Sequence, residues 1–252
     1  MYRDRPERII ATIEARMSSS RLPGKVLLPL GGVPALERLI ERLKRSAYLD
    51  DVVVATTVNS ADDAIVEAAT RAGAKHFRGS EEDVLGRVLG AAKAHNGDIL
   101  VEITGDCPLM DHRVVDRGIG EFFGRDVAYA ANCLTQSYPL GFEVQVFPTR
   151  ILAEVDRMTQ DPIDRTHVSY FIYMHPEQYR IHNWEAEPEC RAPSVRVTLD
   201  EPNDYVLIKE VFDRLSPVTP DFGAADVVRL LADHPELTDI NKDVRQKHVE
   251  EG

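Results

Sequence analysis

Cysteine is scarce in this chain: Cys107, Cys133 and Cys190 stand far apart among 252 residues and form no C-x-x-C pair. That scarcity excludes a disulfide framework and, without paired ligands, suggests no zinc site; a reducing environment fits. No apolar run approaches the roughly 18 residues of a membrane span. The charged start Met1-Tyr2-Arg3-Asp4-Arg5 leads into no secretory segment, so a cytoplasmic protein with no membrane partner is expected. Positive charge is also short, with 30 Lys and Arg against 42 Asp and Glu and a net charge of −12. A general nucleic-acid binder needs a basic footprint against phosphate, so that class is disfavoured. Internal repeats and low-complexity tracts are missing, and 43% hydrophobic with 29% charged residues is the composition of a folded globule.

What the sequence does have is one local concentration of cations. Arg16, Arg21 and Lys25 fall within ten residues, interleaved with Ser18, Ser19 and Ser20, directly after the apolar run Ile9-Ile10-Ala11-Thr12-Ile13. A loop of this composition after a first strand suits a polyphosphate, which backbone N–H groups and cationic side chains together can hold. It is not a Walker loop: Ser19 occupies the first glycine position of G-x-x-x-x-G-K-[ST] and Val26 the place of the magnesium-binding hydroxyl. Taken alone, Pro23-Gly24 is equally an ordinary surface turn.

The first half alternates short apolar runs with helical periodicity, the pattern of successive βα units around a mostly parallel sheet. Strands are expected at Arg8 to Ala15, Asp51 to Thr57, Lys75 to Arg78 and Asp98 to Thr104. From residue 127 the pattern changes. Phe142, Val144 and Val146 alternate with Glu143, Gln145 and Phe147 as in a strand. Helices are expected at Ile151 to Met158 and Arg165 to Met174, then strands at Tyr179 to Trp184 and Ser194 to Leu199, then helices through Leu207 to Leu215 and Ala224 to Ala232. The expected fold is α/β, a doubly wound and mostly parallel sheet in one domain over 1–252, with a small α+β lobe inserted at 130–190 for the acceptor and for dimerisation.

Ligands of such sheets collect at the carboxyl ends of the strands. Asp106 follows the run Ile99-Leu100-Val101 through Thr104-Gly105, and Asp200 ends Arg196-Val197-Thr198-Leu199; each has a proline within two residues. Two strand-end carboxylates suit a magnesium ion shared with phosphate. Asp204 reads as the N-terminal acid of the helix that follows.

Five segments in this order are more specific than any one alone: Ala15-Arg16-Met17-Ser18-Ser19-Ser20-Arg21-Leu22-Pro23-Gly24-Lys25, Val53-Val54-Ala55-Thr56-Thr57, Phe77-Arg78-Gly79-Ser80-Glu81-Glu82-Asp83-Val84-Leu85, Ile103-Thr104-Gly105-Asp106-Cys107-Pro108-Leu109 and Thr198-Leu199-Asp200-Glu201-Pro202. Over roughly residues 8 to 215 the chain resembles the sugar cytidylyltransferases of the spore-coat polysaccharide branch, relatives of the 3-deoxy-manno-octulosonate and acylneuraminate enzymes. The resemblance implies a nucleotide-diphospho-sugar transferase-like fold and Mg2+-dependent transfer of CMP from CTP to a small acidic acceptor such as a nonulosonic or octulosonic sugar acid or a phosphonate, with release of pyrophosphate. By position it implies that Ala15, Arg16, Ser18, Arg21, Lys25, Thr56, Arg78, Ser80 and Asp106 bind the nucleotide and that Asp106 and Asp200 hold the metal. Arg16, Lys25, Asp106 and Asp200 would carry catalysis, and Tyr138, Glu143, Gln145, Arg165 and His167 would line the acceptor pocket. His167 by itself reads as a packed or solvent-facing residue, whereas Arg165 is suited to clamping a carboxylate. The resemblance is loosest at Glu14, Glu143 and Gln145. It further implies a homodimer, with Tyr170, Phe171 and Tyr173 at the contact. A glycosyltransferase is the competing reading, disfavoured because no D-x-D pair follows the strand ending at Asp106.

Overall fold

Apolar alternation sets the frame. In β1 (Ile9–Glu14), Ile9, Ala11 and Ile13 enter one buried cluster and Ile10 another, so the strand is covered on both faces, as parallel strands usually are. The structure is a computed structural model and describes residues 6–247. After β1 come a short hairpin, β2 (Pro29–Leu30) with β3 (Val33–Pro34), then α1 (Ala35–Leu43), β4 (Asp51–Thr57), α2 (Asp63–Arg71), β5 (Lys75–Gly79), α3 (Val84–Ala94), β6 (Ile99–Thr104) and α4 (His112–Phe123). Then follow β7 (Tyr129–Ala131), β8 (Gln145–Pro148), α5 (Thr149–Met158), α6 (Pro162–Thr166), α7 (Tyr170–Met174), β9 (Ile181–Asn183), α8 (Pro202–Leu215) and α9 (Ala224–Asp233).

Seven strands form one sheet in the order β5-β4-β1-β6-β8-β7-β9. β1 pairs in parallel with β4 and β6, β4 with β5 and β7 with β9; only β8 runs against its neighbours. One face is covered by α1, α2, α4, α8 and α9, the other by α3, α5 and α7. The fold is the doubly wound α/β class expected.

The section from residue 127, where the sequence pattern changes, supplies β7, β8 and β9 to the edge of the same sheet. Three local expectations are corrected. Of the alternating run from Phe142, only Gln145 onward pairs as a strand. The helix expected over Arg165 to Met174 is broken, because His167 leaves helical geometry at φ −111, ψ 76 and begins a short link to α7. Ser194 to Leu199 forms no strand: Ser194 lies in a turn and the rest carries a single bridge, Leu140 to Arg196, so Asp200 follows no regular strand.

Candidate active site

The loop after β1 is pinned from below. The buried Asp62 carboxylate accepts from the Met17 amide at 2.8 Å and from the Thr56 hydroxyl and Thr57 amide at the end of β4, both at 3.2 Å. Gly24, with φ 71, occupies a left-handed conformation that a side chain would strain, and its amide closes the loop onto the Met17 carbonyl at 2.9 Å. A Cβ at Gly105 would lie 2.6 Å from the Glu14 carbonyl, so glycine there lets the turn bearing Asp106 approach the end of β1.

These constraints bring together groups distant in sequence. The Lys25 ammonium lies 2.8 Å from Asp200 and 3.2 Å from Asp106, and Arg21 lies 2.9 Å from Asp200. Arg196 meets Asp200 at 2.6 Å and Asp204 at 3.1 Å. Asp204 accepts from the amides of Asp200 and Glu201 at 3.0 Å, the first-turn role expected of it. Burial opposes the Lys25 charge, but Asp106 and Asp200 outweigh it and hold the pKa above the ordinary lysine value. Burial likewise opposes ionisation of Asp200, yet Lys25, Arg21 and Arg196 bring its pKa down to about 2.

A cleft of about 490 Å³ opens beside this cluster. Ala15, Arg16, Ser19, Ser20, Arg21, Lys25, Asp106 and Asp200 line it, together with Glu14, Arg87, Glu102, Gln145, His167, Ser169 and Tyr173. Arg16 turns toward Glu81 at 3.3 Å, and the Ser18 hydroxyl donates to the same carboxylate.

Several residues expected at the site are spent elsewhere. Arg165 pairs with Asp83 at 2.6 Å and Asp156 at 2.9 Å, and so braces α6 against the start of α3 outside the cleft lining. Tyr138 is buried, its hydroxyl accepting from Arg117 at 2.9 Å and donating to Glu187 at 3.1 Å. Glu143 accepts from the Gly141 amide at 2.7 Å and from Gln136 at 3.4 Å. Thr56 is buried on Asp62, Arg78 donates to the Thr57 and Asn59 carbonyls at 2.7 Å, and Ser80 accepts from the Asp83 amide at 3.2 Å. All six stand outside the cleft lining, whereas Gln145 and His167 are part of it.

The sequence reading missed Asp62, Arg87 and Glu102. Arg87 is 3% exposed and donates to the Ala55 carbonyl and the Glu81 carbonyl, both at 3.2 Å. Glu102 had a visible signal, a lone carboxylate inside the apolar strand Ile99-Leu100-Val101-Glu102-Ile103.

Burial pushes the Glu143 carboxyl up to about 7. Because the folded state holds this proton more tightly than the unfolded chain, stability is full below the ordinary value of 4.5 and falls as pH rises through about 7. That gap corresponds to about 3 kcal/mol. Glu102, also raised to about 7 by burial, acts with the same sign. Thermal melts at about pH 5 and about pH 8 are expected to show a decline that Glu143→Gln flattens; an unchanged slope would mean that Glu143 is ionised in the folded state.

The cytidylyltransferase family model matches residues 10–232. The chain belongs to the cytidylyltransferase family. It is 34% identical over 235 residues to the spore coat polysaccharide biosynthesis protein SpsF of Bacillus subtilis, covering 90% of this chain and 95% of the other. A solved cytidylyltransferase from Leptospira borgpetersenii superposes with a TM-score of 0.87 at 30% identity, over 96% of this chain and all of that one. CMP:2-keto-3-deoxy-manno-octonic acid synthetase, solved with CTP, shares the fold at a TM-score of 0.65 and 17% identity, over 82% of this chain and 99% of the other. As a cytidylyltransferase the chain is an enzyme of nucleotidyl transfer, and the glycosyltransferase reading is set aside. Among the described residues, no helix is long and apolar enough to cross a membrane.

Proposed function

We propose that this cytidylyltransferase transfers CMP from CTP to an oxygen of a small acceptor and releases pyrophosphate. The observation that carries the reading is the Lys25 ammonium lodged between Asp106 and Asp200, with Arg16 and Arg21 also lining the cleft. An acceptor oxygen attacks the α-phosphorus, the bond to the β-phosphate oxygen breaks, and the acceptor hydroxyl loses its proton. Negative charge grows on the departing pyrophosphate, so fixed cations assist more than a protein nucleophile would.

The two carboxylates suit Mg2+ chemically. Among the described residues no group of three or more His, Cys, Asp or Glu is placed to hold a metal, and magnesium characteristically takes one or two carboxylates and completes its shell with substrate phosphates and water. Asp106 and Asp200 would hold the ion, which would neutralise phosphate charge and lower the pKa of an acceptor hydroxyl. In this reading an arriving triphosphate draws Arg21 and Lys25 toward its own oxygens and so frees Asp200 of two of its three cationic partners. Thr56, Arg78 and Ser80 belong to the adjacent nucleoside edge, and Gln145 and His167 to the acceptor side. A small acidic acceptor was expected from the sequence, but its clamp, Arg165, is committed to Asp83 and Asp156. Polysaccharide biosynthesis is the proposed setting and a homodimer the proposed assembly, the latter checked by mass in solution.

Titration of the four nucleoside triphosphates with and without Mg2+ tests the nucleotide assignment. CTP is expected to bind at least about tenfold more tightly than ATP, GTP or UTP. A preference for another base would overturn it.

A further inference from the structure

We infer that the segment 241–247 completes the substrate cleft, and that Lys247 binds the β- and γ-phosphates of CTP there. This deepens the CMP-transfer reading and rests on it. The segment lies past residues 10–232, which the family model matches. It is tied to the carboxylate cluster at two points. Asn241, 5% exposed, donates to Asp204 at 2.8 Å and to the Arg196 carbonyl at 3.1 Å. The Val244 amide then closes a turn onto the Asn241 carbonyl at 3.0 Å, and the Gln246 side-chain oxygen accepts from Arg196 Nη1. The other terminal nitrogen of the same guanidinium meets Asp200 at 2.6 Å. One arginine thus joins the segment to Asp200, and Gln246 and Lys247 become part of the cleft lining.

Five lysine and arginine side chains line the cleft: Arg16, Arg21, Lys25, Arg87 and Lys247. Four of them are engaged. Arg16 pairs with Glu81, Arg21 with Asp200, and Lys25 with Asp106 and Asp200. Arg87 gives its guanidinium to the carbonyls of Ala55, Ser80 and Glu81. Lys247 is exposed and makes no ion pair with a described residue, so it can meet an incoming anion without first leaving a partner. Its anchor decides which anion. Arg196 and Asp200 hold the segment beside Arg21 and Lys25, whereas Thr56 and Arg78 stand on β4 and β5 outside the cleft lining. The group within reach is therefore the phosphate tail and not the base, and an ammonium donates to phosphate oxygens through strong charge-assisted hydrogen bonds.

The test titrates CTP and CMP, each with Mg2+, onto the full chain and onto Lys247→Ala. The variant is expected to bind CTP about five- to tenfold more weakly and CMP, which lacks the β- and γ-phosphates, within about twofold of the parent. Lys247→Arg, which keeps the charge, is expected to recover most of the CTP affinity, and raised salt to narrow the gap between parent and Lys247→Ala. A parent-like Tm in the variants shows that the fold is intact. The proposal is overturned if Lys247→Ala binds CTP within about twofold of the parent, or if CTP and CMP weaken equally. A parent chain that fails to bind CTP would instead refute the nucleotidyl-transfer reading, a result seen before any variant is compared.

Discussion

Lys25→Ala is expected to slow pyrophosphate release from CTP by roughly 10²- to 10³-fold while leaving CTP affinity within a few-fold, the range seen when one preorganised donor to a developing anion is lost. The reason lies in placement. The Lys25 side chain is 13% exposed and held beside two carboxylates at 2.8 and 3.2 Å, so its charge is already stationed at the cleft before it turns to phosphate. In the proposed reading ground-state CTP would also be held by Arg16, Arg21 and the loop amides, which would divide the binding energy among them. Charge on the leaving group, in contrast, is largest at the transition state, where a single fixed ammonium matters most. The comparison to make is single-turnover rate against CTP dissociation constant in parent and variant. Equal losses in both would show that Lys25 contributes uniform binding or merely keeps Asp106 and Asp200 apart. Lys25→Arg is expected to restore little, because a planar guanidinium does not fit a space shaped for a compact ammonium.

The second large effect separates the two aspartates. Asp106→Asn and Asp200→Asn are both expected to lower metal-dependent turnover by about 10²-fold or more, as loss of a charge-stabilising group does. Their effects on stability should differ. Asp106 is 22% exposed and meets one cation, whereas Asp200 is 7% exposed and is surrounded by Lys25, Arg21 and Arg196. Removing the Asp200 charge leaves Lys25 with Asp106 alone, Arg196 with Asp204 alone and Arg21 with only Glu201 at 3.8 Å, in a poorly solvated place, at a cost of about 3 kcal/mol. For a chain of this length that corresponds to a fall in Tm of roughly 6–12 °C. The pH dependence has a defined sign: with the Asp200 pKa depressed to about 2, its contribution is complete above the ordinary value of 3.8 and is lost as pH falls through about 2. Asp200→Asn should therefore be less stable at neutral pH and lose less on acidification. Melts of both variants across the acid range check this; a parent-like Tm for Asp200→Asn would mean that its three cations are satisfied by solvent.

The parallel half of the sheet was legible because its signals are local. Apolar runs such as Ile9-Ile10-Ala11 and Val52-Val53-Val54 fix strand type wherever both faces are covered, and Arg16, Lys25 and Asp106 follow from strand-end position. The rest depends on distant partners. Asp200 looked like a strand terminus because Arg196-Val197-Thr198-Leu199 has strand composition, yet the segment joins no sheet and carries a single isolated bridge, to Leu140. Arg165 looked available to an acceptor because Asp83, 82 positions earlier, is a neighbour only after folding. Glu102 was overlooked inside a good strand pattern, although a charge in an otherwise apolar strand is the kind of local conflict that marks function.

A crystal structure of the chain with Mg2+ and a non-hydrolysable CTP analogue addresses the central claim most directly. The triphosphate is expected against Arg16, Arg21 and Lys25, with Asp106 and Asp200 on the metal and Arg21 and Lys25 moved from Asp200 onto phosphate oxygens. A triphosphate bound elsewhere, or one that leaves the Lys25 contacts to both aspartates as they are, would contradict it.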